Sequence, residues 1–441
     1  MIEDAVDAAP RPWARVQPLR KRQVAAVAVG NAIEFYDFVT YAFFAVQIGR
    51  TYFPSDEPGA SLLASLATFG AGFLTRPLGA WAIGRMGDRR GRKPAMLLSF
   101  ALIGVAVIGL PLVPSYASIG VAAPVLVVLF RLLQGFALGG EVGPSTAFLM
   151  EAAPVHRRGL YISMQAMGAD AAVLVAGLVG VGLAHVLSPA ELEAWGWRVA
   201  LGLGAVIVPF GLVLRRTLVE TFEPARAPPP RTGGSGHLRV ALLGLAMLAA
   251  ATTSAYALEY MTTYANTTLG LPERVALGAT ALIGLCGLVC DPLSGWLSDR
   301  IGRKPVMLVP WLVLLVAILP AFWLLERERS AAVLYLMTAV LAAASTLSTG
   351  TVLVAVTESL PAHVRSGALA MVYALAISVF GGSTQFAVAW LTRLTGNPLA
   401  PAWYMIGAVL VGLLAVSLLP ESAPVRLAQR RPGRARLTAP E

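Results

Sequence analysis

Long apolar blocks separated by short polar, charged or proline-bearing stretches run through the chain. Ala95 to Val113, Val199 to Leu214 and Val306 to Leu325 are three of them. A nearly uncharged run of about 18 residues or more spans a hydrocarbon core at about 1.5 Å rise per residue. Lipid supplies no hydrogen-bond partners, so these blocks are expected to be helices. The short alternating segments of a membrane barrel are absent from the sequence. The pattern predicts spans near 24–48, 61–84, 95–113, 119–152, 159–186, 198–217, 238–264, 275–297, 305–325, 331–359, 366–391 and 401–420. The expected fold is an all-α membrane protein of twelve transmembrane helices.

Composition agrees. Of 441 residues, 57% are hydrophobic and only 13% charged, with a mean hydropathy of +0.70; a soluble chain carries about 25% charge. The net charge of +10 would suit a nucleic-acid partner only if it gathered on one surface. Instead most Lys and Arg fall in alternate interhelical segments, among them Arg11–Arg22, Arg85–Lys93, Arg157–Arg158, Arg215–Arg239, Arg300–Lys304 and Arg426–Arg436. The intervening loops hold Arg50, Arg274, Arg327, Arg329 and Arg393 beside acids such as Asp56, Glu57, Glu191 and Glu193. This asymmetry puts both termini in the cytoplasm. Residues 1–23 are charged and proline-bearing and show no cleavable signal, so the first block is expected to remain as a span. Cys286 and Cys290 are four apart in one apolar block, a spacing that suits packing better than pairing or metal binding.

The sequence repeats. Gly84-x-x-x-Asp88-Arg89-x-Gly91-Arg92-Lys93-Pro94 returns at an offset of 211 as Gly295-x-x-x-Asp299-Arg300-x-Gly302-Arg303-Lys304-Pro305. Glu151-x-x-Pro154-x-His156-x-Arg158 is echoed by Glu358-x-x-Pro361-x-His363-x-Arg365. The organisation read from this is a cytoplasmic tail (1–23), a six-helix bundle (24–217), a cytoplasmic linker (218–237), a second six-helix bundle (238–420) and a C-terminal tail (421–441). Parallel repeats of this kind form two bundles that rock about a midplane site. Gly84, Asp88, Arg89, Gly91 and Arg92, with Gly295, Asp299, Arg300, Gly302 and Arg303, are expected to form a gate. The glycines would permit tight turns, and each Asp could cap a helix or pair with Arg.

This doubled loop resembles the signature of the major facilitator superfamily. Further stretches resemble its metabolite:proton symporter branch: Glu34-Phe35-Tyr36-Asp37-Phe38, Arg76-Pro77-Leu78-Gly79, Arg131-Leu132-Leu133-Gln134-Gly135, Gly139-Gly140-Glu141, Trp195-Gly196-Trp197-Arg198 and Glu220-Thr221. The resemblance spans residues 20 to 425. It implies two six-helix bundles, no cofactor beyond the coupling proton, and symport of citrate, tricarballylate, 2-oxoglutarate, shikimate or zwitterionic osmolytes. Arg215-Arg216-x-Leu218-x-Glu220-Thr221 and Thr252-Thr253 before Tyr256 look closest to citrate and tricarballylate carriers. The chain departs from the branch pattern at Phe35, at Ala200-Leu201, and at the acids Asp170 and Glu259.

An ionisable side chain deep in a bilayer costs about 2.5–3.5 kcal/mol on insertion scales and so marks a functional candidate. Asn31, Glu34, Asp37 and Tyr41 share about 120° of one helical face. Glu34 or Asp37 is the candidate proton carrier, the alternative being a permanent ion pair with an arginine. Arg131, Gln134 and Glu141 share a face of the fourth span, with Arg131 and Glu141 about 15 Å apart along an unbroken helix. The planar fork of Arg131 suits a substrate carboxylate, or else pairs with Glu34 or Asp37. Arg76 is expected to snorkel or support the gate. The seventh span carries a polar stripe of Thr252, Tyr256, Glu259, Thr263 and Asn266. Hydroxyls on the tenth and eleventh spans are expected to cement helix contacts. With no phosphate-cradling loop and no nucleophile–base pair, the chain does not read as an enzyme.

The functional expectation is a monomeric, multi-pass carrier in the cell inner membrane that imports a small organic anion with protons. The alternatives are an importer of a zwitterionic osmolyte or aromatic acid, an efflux antiporter, and a non-transporting sensor on a carrier fold.

Overall fold

The computed structural model describes residues 32, 35–90, 92–139, 146, 149–150, 153–205, 235–360 and 365–429. Every regular element among them is helical, and they trace twelve helical passages. The first, α1, runs over 35–43 and, past a turn at Phe44, continues as Ala45–Tyr52. α2 is Ala60–Leu74 followed by Arg76–Arg90, and α3 is Arg92–Leu112. α4 is Ala122–Leu138, α5 is Arg158–Val186, and α6 begins at residue 197. α7 is Ser235–Glu259 with Met261–Thr267, α8 is Glu273–Ile301, α9 is Arg303–Glu328 and α10 is Ala331–Ser359. α11 is Arg365–Ala376, a widened turn at Ile377–Gly381, and Gly382–Thr395; α12 is Ala400–Leu418. Seven of the described helices are by themselves long and apolar enough to cross a membrane. The others are broken, as at Thr75, or are shorter within the described residues.

Each helix divides its apolar residues between two environments. On α9, Met307, Trp311, Leu314 and Ile318 recur at helical spacing and are buried, whereas Val309, Leu312, Val313 and Val316 point outward. Leu74, Leu78 and Trp81 make a similar outer face on α2. Such contiguous exposed apolar surface fits lipid, not water.

Small residues bring the helices together. The carbonyl of Gly72 would lie 1.5 Å from a Cβ built on Gly135, and that of Phe136 1.7 Å from one on Gly79, so α2 and α4 cross backbone to backbone. Between the halves, α5 lies along α8: Gly159 meets Gly295, Gly177 meets Ala281 and Gly284 meets Leu174. Close approach of this kind replaces the hydrophobic drive that lipid cannot provide. Two tenth-span hydroxyls act as expected: Thr351 Oγ1 lies 2.8 Å from Ser294 Oγ of α8, which donates to Leu347 O at 2.6 Å, and Ser348 donates to Met307 O, whereas Thr346 bonds back within its own helix. Cys286 and Cys290 are free and half-buried.

The doubled motif departs from its expected form. Instead of a loop, each copy joins two helix ends. Residues 84–90 extend α2, and Asp299 and Arg300 lie in the last turn of α8. The second turn is a single residue, Gly302, whose φ of 106° disfavours any side chain. Helix continues because the motif lacks a breaker before its second glycine.

The α2–α4 crossing generates a stability prediction. Gly135→Ala must push a methyl into the Gly72 carbonyl and should cost about 1–3 kcal/mol or more, read as a lower melting temperature in detergent. Gly182→Ala, where nothing lies within 4 Å, should leave that temperature unchanged or slightly raised. Equal behaviour of the two variants would refute the crossing.

Candidate functional site

The inward face of α4 carries Val127, Arg131, Gln134 and Leu138, spaced four, three and four apart and all buried. This periodicity carries Arg131 into the middle of the protein, where its side chain is fully buried. The guanidinium lies 4.0 Å from the centre of the Phe38 ring, 4.5 Å from that of Tyr41 and 5.3 Å from that of Phe69. Phe73 and Tyr256 close the aromatic cluster through edge contacts with Phe69 and with each other. The rings come from α1, α2 and α7, so the cluster around Arg131, called the chamber below, is built by both halves.

Arg131 and Asp37 do not form a direct ion pair. Arg131 Nη1 donates to Gln134 Oε1 at 2.6 Å, and Gln134 Nε2 donates to Asp37 Oδ2 at 2.5 Å. The neutral amide thus relays between cation and acid. Nε and Nη2 of Arg131 and Oδ1 of Asp37 are buried without a hydrogen-bond partner among the described residues. Leaving donors of a buried charge unmatched is costly, and the cost is recovered when a ligand supplies the missing acceptor.

Arg76 belongs to the same chamber and does not snorkel. It is buried, 4.8 Å from the centre of Phe38 and 4.4 Å from that of Phe73. Both guanidiniums therefore lie within 5 Å of one ring centre, that of Phe38. Sequence reasoning passed over this pairing, because Arg76 and Arg131 sit on different spans whose contact no periodicity reveals.

The other expected site residues sort clearly. Tyr41 is buried and its hydroxyl donates to Ser65 O at 3.4 Å. Tyr256 and Thr263 are buried, and Glu259 is half-buried on the same stripe, with Oε2 unpartnered. Asn31, Glu34, Glu141 and Gly91 lie outside the described residues, as do the side chains of Gly84, Asp88, Arg89 and Arg92.

On the face of the Gly302 turn, the second motif copy binds the halves together. Asp299 accepts from the backbone N–H of Gly159 at 2.9 Å and of Leu160 at 3.0 Å, capping the first turn of α5 from across the seam. Arg303 donates to Asp299 at 2.8 Å and forks onto Glu358 at 3.0 and 2.9 Å. Glu421 accepts from the N–H groups of Arg303 and Lys304. Gly295 lets α8 approach Gly159, and Arg300 lies over Trp296 at 3.9 Å from its ring centre, away from this network. At the opposite face Glu57 pairs with Arg393 and Gln47 with Glu273, again between halves. Both faces thus carry contacts that join the halves.

Twelve helical passages around a buried cluster of guanidiniums, acid and aromatic rings have the build of a membrane transporter. The chain belongs to the Major Facilitator Superfamily, whose sequence model matches residues 27–382. A citrate-proton symporter from Salmonella typhi is 36% identical over 400 residues, covering 89% of this chain and 92% of that one. The alpha-ketoglutarate permease of Escherichia coli (strain K12) is 34% identical, covering 90% and 92%. A proline/betaine transporter of the same organism is 29% identical, covering 91% and 84%. Among solved structures, the partially occluded inward-open xylose transporter XylE from E. coli superimposes with a TM-score of 0.72 at 17% identity, over 90% of this chain and 99% of that one. The relatives and structural neighbours are transporters, not enzymes, as the sequence implied.

The Asp299 contacts generate a second prediction. Removing a cap costs about 0.5–2 kcal/mol, and a shift of one or two kcal/mol changes a population about 5- to 30-fold. In Asp299→Ala, a cysteine introduced at the buried Ser163, beside Gly295, should react with a water-soluble maleimide faster by such a factor. Unchanged labelling would show that Asp299 does not hold this face shut.

Proposed function

We propose that the chain is a proton-coupled symporter that takes up a small di- or tricarboxylate by alternating access. It would work as a monomer in the cell inner membrane with both termini cytoplasmic. The single observation that carries this reading is the fully buried Arg131, held on aromatic faces with two guanidinium donors unmatched.

The chemistry follows from charge. Among the described residues the chamber holds two guanidiniums, Arg131 and Arg76, against one carboxyl, Asp37. The unmatched Nε and Nη2 of Arg131 call for an acceptor, and an anion with more than one carboxylate supplies it. Arg131 offers Nε and Nη2 on one edge, the geometry of a bidentate carboxylate contact. A betaine would bring its own cation to rings that the two guanidiniums already face, so the chamber favours an anion over a zwitterion. The names of the relatives at 34–36% identity, citrate-proton symporter and alpha-ketoglutarate permease, support the same class.

Coupling is assigned to Asp37, with Glu34 as the neighbouring candidate. With Asp37 ionised, Gln134 Nε2 is drawn to it and Gln134 Oε1 is thereby turned to Arg131. A proton on Asp37 removes the reason for that orientation and releases Arg131 to the substrate. Substrate and proton then neutralise the chamber together, and the neutral, closed form can reorient. The doubled motif is the gate on the cytoplasmic side.

Arg131→Lys keeps the charge but loses the fork. A hydrogen bond to a charged group contributes about 1.5–3 kcal/mol, so apparent affinity for citrate should fall roughly 10- to 100-fold. The check is labelled uptake into proteoliposomes under an imposed inward proton gradient. Wild-type accumulation above equilibrium is expected. Binding without accumulation would identify a sensor instead, and an unchanged KM in Arg131→Lys would remove Arg131 from the substrate site.

A further inference from the structure

Away from the chamber, three acids meet where the two halves slide on each other. Asp170 of α5 packs against the backbone of α8 at Gly287, where a Cβ would come within 1.9 Å of its Oδ2. Asp291 stands one turn further along α8 than Gly287, so that its carboxyl and that of Asp170 face each other across the seam. Glu259 of α7 faces Asp170 from the side of the chamber, one turn beyond Tyr256. Cys286 and Cys290 of α8 face Asp170 as well, and Gly350 of α10 approaches Asp291, with Ser294 beside it. Among the described residues no Lys, Arg or His faces these acids. Nor do they form a cluster able to hold a metal ion.

Two features point to a ligand. Asp291 is 1% exposed, yet its Oδ2 has no partner; Glu259 Oε2, on a different helix, is buried and equally unmatched. Carboxylates only accept hydrogen bonds, so two facing carboxyls bond to each other only when one holds a proton. Asp170 and Glu259 are also the acids by which the chain departs from its branch pattern.

We propose that Asp170 and Asp291 form a second proton site, a shared-proton latch between the halves that is separate from Asp37. The inference rests on the proton-coupled reading above. One proton binds a pair of carboxylates, takes its charge from −2 to −1, and closes the α5–α8 seam with a single O–H···O bond. Its loss leaves two like charges across the seam and forces them apart. The latch opens with deprotonation at the surface where the bundles must separate. Glu259, between this pair and Tyr256, links the latch to the chamber.

Infrared spectroscopy of the purified protein tests the site without relying on transport. At neutral pH the wild type should show a protonated-carboxyl band that shifts in D2O and disappears on alkalinisation. Asp170→Asn and Asp291→Asn, each checked for a monodisperse gel-filtration peak, should lose the band and shift the pH profile of uptake in proteoliposomes. A wild type without the band overturns the proposal even if neither variant folds. So does a band that persists in both variants. A band lost with an unmoved pH profile also overturns it, leaving a purely structural acid pair. Failure of any transport with the infrared result intact would count against the proposed function and not against the proton site.

Discussion

Hydrocarbon does not hydrogen-bond. A backbone crossing it becomes helical, and a polar side chain inside it must find a partner within the protein or remain unmatched at a cost. Several hydroxyls here comply locally. Thr40, Thr68, Thr346 and Thr384 each return a hydroxyl to the carbonyl four residues earlier, which satisfies the group and leaves helix packing undisturbed. Against that background the exceptions stand out. Arg131, Asp37, Glu259 and Asp291 keep buried polar atoms unmatched where a mobile species has been assigned, while Ser254, Trp311, Thr338 and Gln385 are unmatched elsewhere.

The same constraint governs the contacts between the halves. At the face of the Gly302 turn, charge-assisted bonds from Asp299 to α5 are backed by Arg303, Glu358 and Glu421. These groups lie at helix ends, where a change of partner needs no burial of new charge. Along the middle, α5 and α8 touch through glycine and alanine, contacts with little directional preference that can slide. Strong bonds at the rims and smooth contact between them suit a rocking pair of bundles, because the barrier to motion is set by groups that can be switched.

How much of this the sequence disclosed depends on the range of the signal. Helix existence, the repeat and the basic asymmetry are local or periodic, and the helical passages fall close to their expected spans. Asp37, Tyr41, Arg131 and Gln134 were legible because each is a polar exception on an apolar face. The motif was read as a short loop because the apolar runs end near 84 and 297 and resume near 95 and 305, whereas helix continues through its polar residues and the second copy turns at Gly302 alone. Arg76 was assigned to the membrane edge because its depth depends on the break at Thr75 and on which rings α1 turns toward it. The facing of Asp170 and Asp291 was invisible for the same reason. It is a contact across a seam between residues 121 positions apart, and Asp291 beside Pro292 reads in isolation as a helix feature.

The described residues place guanidiniums in one centre and carboxyls in the other, and this bears on how coupling would arise. The chamber holds Arg131 and Arg76 on aromatic faces, and the seam holds Asp170 and Asp291 with Glu259 between. Separated charges of opposite sign in a medium of low dielectric stabilise one another over distances at which water would screen them. An anion entering the chamber cancels the positive member, and the acids at the seam lose part of what keeps them ionised. Proton uptake at the seam is then favoured by substrate, and substrate by the proton, as reciprocal linkage requires. On the proposed reading, Asp37 couples proton and substrate directly through Gln134, and the seam acids would add a second, longer-range link through charge balance.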